Sequence, residues 1–206
     1  GWVETLPLYC NKYQKGATVK MYFSASLDKK PVRVGTFRKK EIFEDQKQVK
    51  GVGAGAYLTF ETSENEAVTA KVGLSYTSVD NARLNREIET DNDSLSFDDV
   101  KLAAAQTWEE YLGRIRVESS SKDDKVKFYT GLYHAILGRG LASDVNGAYP
   151  KNDGTIGQLP MKDGKPAFSF YNTDGLWGGQ WGLTQVWALA YPEYLSDYVS
   201  THVQVY

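Results

Sequence analysis

The 206 residues hold a single cysteine, two histidines, two methionines and six prolines, and each scarcity closes off a class of function. The lone Cys10 excludes an intramolecular disulfide framework and any cysteine-built zinc site, while leaving the compartment open. His134 and His202 are too few and too far apart along the chain to build a histidine metal site. No apolar run reaches transmembrane length, and no charged-then-apolar leader opens the chain. The chain begins at glycine rather than methionine, so Gly1 reads as other than the natural start. A formal charge of −2 provides no concentrated basic surface, which argues against nucleic acid as a partner. The lysines Lys39, Lys40, Lys47 and Lys50 are offset by Glu41, Glu44 and Asp45, and this stretch reads as a solvated loop face.

Familiar catalytic patterns are missing too. There is no Gly-x-Ser-x-Gly elbow. Gly51-Val52-Gly53-Ala54-Gly55 lacks the Gly-Lys-Ser/Thr of a phosphate loop. Asp91-Asn92-Asp93 opens like a calcium loop without its glycine and closing glutamate. Asn92-Asp93-Ser94 fits a glycosylation sequon, a short and weak pattern. The acid pairs Asp98/Asp99, Glu109/Glu110 and Asp123/Asp124 read as helix-start charges or solvated faces, because adjacent helical residues do not converge on one substrate.

Aromatic residues are abundant: 14 tyrosines, eight phenylalanines and five tryptophans. Three of the tryptophans fall within Phe168–Pro192, beside Asn172, Asp174 and Gln180. Flat rings flanked by amide and carboxylate groups suit a sugar-binding surface. On composition alone a helix start packed on an aromatic core is the favoured reading, because Trp and Tyr mostly serve packing.

Period divides the chain into two halves. Val19, Met21, Phe23, Ala25 and Leu27 alternate with polar residues, Tyr22 being the one bulky group on the second face. Val32–Phe37, Tyr57–Thr62 and the alternation Val68, Ala70, Val72, Leu74 and Tyr76 predict further strands of an antiparallel sheet, part of a sandwich. Gly1–Leu6 reads as the end of another strand. From Ser96 the period becomes helical. Ser96 is a predicted N-cap, and Val100, Ala104, Trp108, Tyr111, Leu112 and Ile115 form one apolar stripe. A second helix is expected over Asp123–Leu137, with Val126, Tyr129, Leu132, Tyr133 and Ile136 buried. Asp163-Gly164 marks a hairpin turn. A third helix is expected over Gly179–Ala190, and Pro192 suits the first turn of a fourth. Two loops collect polar groups: one with Asp144, Asn146 and Tyr149, near His134, and one with Asn172, Asp174, Trp177, Gln180 and Trp181.

Four stretches carry a family resemblance. Phe128-Tyr129-Thr130-Gly131-Leu132-Tyr133-His134, Val72-Gly73-Leu74-Ser75-Tyr76-Thr77-Ser78-Val79-Asp80-Asn81-Ala82-Arg83-Leu84-Asn85, Trp108-Glu109-Glu110-Tyr111-Leu112-Gly113-Arg114-Ile115 and Ser143-Asp144-Val145-Asn146-Gly147-Ala148-Tyr149 occur in that family's order. The chain from about Val19 onward resembles glycoside hydrolase family 92, the calcium-dependent exo-α-mannosidases. The resemblance implies a partial antiparallel β-sandwich (1–95), a linking helix (96–120) and the first helices of an α/α six-hairpin barrel (121–206). It implies a mannose-containing glycan as substrate, hydrolysis with inversion, calcium as cofactor and a secreted or periplasmic setting. The catalytic acid and base, and most calcium ligands, are expected beyond residue 206, so the chain is expected to be an inactive piece of a longer enzyme. Asp174 falls at the family's Trp-Asp-Thr-aromatic-Arg motif, whose Asp is expected to hold the terminal mannose. Here Thr173 replaces the Trp and Gly175-Leu176-Trp177 replaces the rest, which points to a different linkage preference or to compensating stacking by Trp177. Asn172 joins Asp174 and Trp177 as a substrate-binding candidate. His134 and Asp144 match family positions, with helix packing of a buried His134 and loop bracing by Asp144 as the favoured roles. The competing readings are another sandwich-plus-barrel glycosidase or phosphorylase, and a non-catalytic carbohydrate-binding module.

Overall fold

The computed structural model describes residues 1–5, 18–90, 95–137, 140–173 and 176–205. Cys10, the residues 91–94 and Asp174 lie outside the described residues. The chain forms two compact units: Ala25–Val72, and Gly1–Ser24 together with Gly73–Tyr206.

The strands come first. β1 (Trp2–Thr5), β2 (Val19–Leu27) and β6 (Ala70–Ser75) form one sheet in the order β1-β2-β6. β1 and β2 are antiparallel, with Val3 opposite Met21 and Trp2 opposite Tyr22. β3 (Arg33–Arg38), β4 (Glu41–Glu44) and β5 (Ala54–Thr59) form a second antiparallel sheet in the order β4-β3-β5. The expected solvated loop at Glu41–Glu44 is therefore a strand. Its charges stay in water while its backbone pairs with β3, so charge alone misled the reading.

The alternation of β6 located the strand, but its large apolar side chains are not the buried ones. Gly73 and Ser75 are buried, whereas Val72 and Leu74 are 53% and 52% exposed. The cause is a helix that alternation did not announce: α1 (Val79–Thr90) packs on the small-residue side. A Cβ at Gly73 would lie 2.1 Å from the carbonyl oxygen of Ala82. Only glycine admits backbone that close.

The helices follow. α2 (Phe97–Leu112) starts with a full capping box: the Ser96 hydroxyl accepts from the Asp99 amide, and the Asp99 carboxylate accepts from the Ser96 amide. Its predicted stripe is half-buried only from Trp108 onward, and Val100 and Ala104 are exposed. α3 (Lys122–Leu137) buries Leu132, while Val126 is exposed. The strands β7 (Ala148–Pro150) and β8 (Ile156–Gln158) pair antiparallel. β9 (Met161–Lys162) and β10 (Lys165–Pro166) close the predicted Asp163-Gly164 hairpin, both turn residues having positive φ. The helix expected over Gly179–Ala190 is α5 (Leu183–Ala190), which starts later, after Gly182 with its φ of 128°; the short α4 (Leu176–Gly179) precedes it. α6 (Pro192–Val205) starts at the proline, as expected.

Tyr194, Tyr198 and Thr201 recur on one face of α6 and are buried. Trp187 of α5 is wholly buried against Leu132, Tyr191, Tyr194 and Tyr198, and its indole N–H donates to the Ala135 carbonyl at 2.9 Å. A buried indole with its donor satisfied is a core residue. A second cluster joins Ala142, Tyr149, Leu159 and Phe170.

Candidate active-site cleft

The site is built upward from one buried carboxylate. Asp144 is 3% exposed and accepts three side-chain hydrogen bonds. The Ser75 hydroxyl donates at 3.0 Å, the Thr77 hydroxyl donates in a short bond, and the Asn85 amide donates at 2.7 Å. Asn85 also donates to the Leu74 carbonyl and accepts from the Val145 amide. Asn81 donates to the Thr77 hydroxyl and accepts from the Asn146 amide. The end of β6, the first two turns of α1 and the loop before β7 are thus joined through one satisfied polar network. A buried polar group costs stability unless it is paired, and every group of this network is paired. Around Asp144 the loop folds tightly, with its carbonyl accepting from the Gly147 amide and its amide donating to Ala148.

The segment leading into Asp174 is held by its backbone. The Ala142 amide donates to Phe170, the Asn172 amide to Gly140, the Ser169 amide to the Asp197 carboxylate and the Tyr171 amide to the Thr201 hydroxyl. Phe170 stacks on Tyr149 at 4.4 Å, and Gln204 donates to the Tyr149 hydroxyl. Burial raises the Tyr171 phenol above its ordinary pKa, so it stays a neutral donor at physiological pH.

These segments border a cleft of about 640 Å³ within the larger compact unit. Thr77 and Phe170 line its inner part; Lys20, Tyr22, Lys151, Asn172 and Thr173 also line it. Beside it, Asp153 accepts from the Thr155 hydroxyl and amide, which holds its carboxyl below the usual range.

The cleft brings Asn172 together with Thr77, and Thr77 with Asp144. Asp174 lies outside the described residues. Trp177 is placed within α4 by its backbone only. His134 was expected to be buried and is instead exposed. At 100° per residue it lies nearly opposite Leu132, the buried residue of α3, and it only flanks the Tyr133 ring at 5.6 Å. It is not among the cleft-lining residues. Sequence reasoning missed Ser75, Thr77, Asn81 and Asn85 as a group. All lie within the stretch from Val72 to Asn85 that resembles the family, of which only the part up to Tyr76 was read as a strand. Lys20 was also missed, although Tyr22 stood out as the bulky residue on its polar face.

Among the described residues no group of three or more His, Cys, Asp or Glu side chains is placed to hold a metal. Both Asp144 oxygens already accept hydroxyl and amide hydrogens. The described residues therefore do not fit a calcium site.

An antiparallel sheet region followed by a string of helices is the architecture of the N-terminal and catalytic domains of a family of solved glycosyl hydrolases. Residues 1–75 match the glycosyl hydrolase family 92 N-terminal domain and residues 81–206 match the glycosyl hydrolase family 92 catalytic domain, so the chain belongs to glycoside hydrolase family 92. A solved family 92 glycosyl hydrolase, ccman5, superposes with a TM-score of 0.78 at 26% identity over 94% of this chain. A family 92 α-mannosidase from Bacteroides thetaiotaomicron gives 0.74 at 24% identity over 89% of the chain, and supports the fold. That mannosidase has also been solved with mannoimidazole bound. An uncharacterized secreted glycosidase from Arthroderma benhamiae is 33% identical over 90 residues, 42% of this chain and 12% of that protein. The chain spans 25% and 24% of the two solved proteins.

Proposed function

We propose that the protein carrying this chain is an inverting exo-α-mannosidase acting on α-1,2-linked mannose of glycans. The observation that carries this reading is the family match in two consecutive parts, N-terminal and catalytic, along one chain. The fold shared with a family 92 α-mannosidase supports the substrate class. In this reading residues 1–95 belong to a sandwich domain, 96–120 link, and 121–206 open an α/α barrel. Asn172, Asp174 and Trp177 hold the terminal mannose. The general acid and the base of the inverting reaction lie beyond residue 206, as do most of the calcium ligands. Secretion is proposed from the secreted relative.

Hydrolysis of an α-mannoside by the whole protein, followed by NMR for the anomer first released, tests this reading. Release of β-mannose is expected, and release of α-mannose would exclude inversion. EDTA is expected to abolish activity and added calcium to restore it; full activity in EDTA would remove calcium. Asp174→Ala is expected to lower kcat/KM by about a hundredfold or more, the scale of losing a charged hydrogen bond to substrate, with the circular dichroism spectrum unchanged. Activity within a few-fold of wild type would take Asp174 out of the site.

A further inference from the structure

Two aromatic rings lie against the β4-β3-β5 sheet of the Ala25–Val72 unit, where no hydrophobic side chain is buried. Gly35 of β3 faces Tyr57 of β5, and Phe37 of β3 faces Gly55 of β5. Each ring crosses to the neighbouring strand and covers the glycine there. A Cβ at Gly35 would lie 2.3 Å from Tyr57 Cζ, and one at Gly55 would lie 2.3 Å from Phe37 Cζ. Only glycine leaves a ring room to lie that close to the backbone. Directly opposed residues share a face, as do residues two apart along a strand. Both rings therefore occupy one face, on residue pairs about 7 Å apart along the strands.

The same pairing occurs between β7 and β8, where Tyr149 covers Gly157. There the outer side of the ring is closed, because Tyr149 is 2% exposed and stacks on Phe170. Phe37 and Tyr57 are only half-buried, and among the described residues neither has a ring partner. Each thus rests one side on a glycine and leaves the other open. Arg33 and Glu44 lie on the same face, Arg33 two residues before Gly35 and Glu44 opposite it. Both are exposed, and among the described residues neither is ion-paired. Their opposite charges cancel, so the face fits an uncharged ligand with hydroxyls that the guanidinium can donate to and the carboxylate can accept from. Open ring faces beside such groups match a pyranose, with C–H groups on its faces and hydroxyls around its rim. Rings already fixed against the sheet reduce the ordering cost of binding.

We propose that this face of the Ala25–Val72 unit is a binding platform for a neutral glycan chain, with Phe37 and Tyr57 stacking on its sugar rings and Arg33 and Glu44 bonding its hydroxyls. The platform shares no residue with the lining of the cleft. The choice of a mannan as the glycan rests on the mannosidase reading, and the experiment separates the two. Phe37→Leu and Tyr57→Leu are made in the whole protein; leucine keeps an apolar cover on the glycine but offers no flat face. Retardation in gels containing soluble α-mannan gives Kd, and circular dichroism checks the fold. Kd is expected to rise about fivefold in each variant, as for loss of one aromatic stacking contact. Arg33→Ala, at an exposed position, is expected to weaken binding as well and gives a reading if a leucine variant fails to fold. The exposed Lys101→Ala on α2 serves as the control and is expected to leave Kd unchanged. If the rings serve only to cover the glycines, the folded leucine variants and Arg33→Ala keep the wild-type Kd, and the platform is overturned. A wild type that α-mannan does not retard overturns it too. A wild type that cleaves no α-mannoside fails the mannosidase reading alone, and retardation that weakens in the ring variants still supports the platform.

Discussion

Asp144 brings a carboxylate into a site where, among the described residues, no ion pair reaches it and three donors converge on it. Removing it strands those donors. Asp144→Ala is expected to cost about 3 kcal/mol, from the penalty for buried groups left without partners. Asp144→Asn should cost less, because the Ser75 and Thr77 hydroxyls can turn to meet an amide. Urea denaturation measures both, and an alanine cost under about 1 kcal/mol would mean that the network is slack. In the sequence the Asp144 loop was visible as a polar cluster, and bracing was its expected role. Its partners were not visible. Ser75, Thr77 and Asn85 are 59 to 69 residues away along the chain, and no periodicity links a hydroxyl to a carboxylate at that range. His134 shows the converse limit. Its tyrosine neighbours made it look buried, yet the face of a helix is set by which side meets the core, and Leu132 holds that side of α3.

Among the elements, the segment just after α2 is joined to the start of α6 by a clamp that pH can loosen. Arg114 forms short-range contacts with the Glu193 carboxylate, donates to the Ala190 carbonyl at the end of α5, and lies over the stacked Tyr111 and Tyr191 rings. The hydrogen bond from Arg114 is the main cause holding the Glu193 carboxyl below its ordinary pKa. A depressed folded pKa means that the unfolded chain takes up the proton first. The contribution is therefore complete above the unfolded value of about 4.3 and is lost as pH falls through the folded one. Glu193 is half exposed, so solvent screening limits the effect to less than about 1 kcal/mol. Between pH 6 and pH 3 the wild type should lose slightly more thermal stability than Glu193→Gln; identical slopes would remove the clamp. Helix starts were the most legible elements, because Ser96 and Pro192 act through local backbone chemistry. α1 was not legible. It follows a strand by a short turn, and its buried residues are Ala82 and Asn85 rather than an apolar stripe.

For the whole molecule, burial is unevenly shared. The buried hydrophobic side chains all belong to Gly1–Ser24 with Gly73–Tyr206, around Trp187 and Tyr149. In Ala25–Val72 the buried positions are Gly35 and Thr36, and no hydrophobic side chain is buried. Opening free energy follows buried apolar contact. Amides of β3 and β5 are therefore expected to exchange with deuterium faster than those of α5 and α6. Mass spectrometry of exchanged peptides measures this, and equal protection would show that backbone pairing alone stabilises that sheet. Among the described residues no helix is long and apolar enough to cross a membrane.

What the sequence determined by itself was the order of strands before helices, the caps, the Asp-Gly hairpin and the family. Those features depend on residues within a few positions of one another, or on motifs kept in order. Tertiary structure alone decided which face of β6 is buried, that Glu41–Glu44 pairs as a strand, and that Asp144 is tied to β6 and α1. It also placed Lys20 and Tyr22 along one cleft with Asn172. Each of those outcomes depends on a partner distant along the chain, and a distant partner leaves no mark on local pattern.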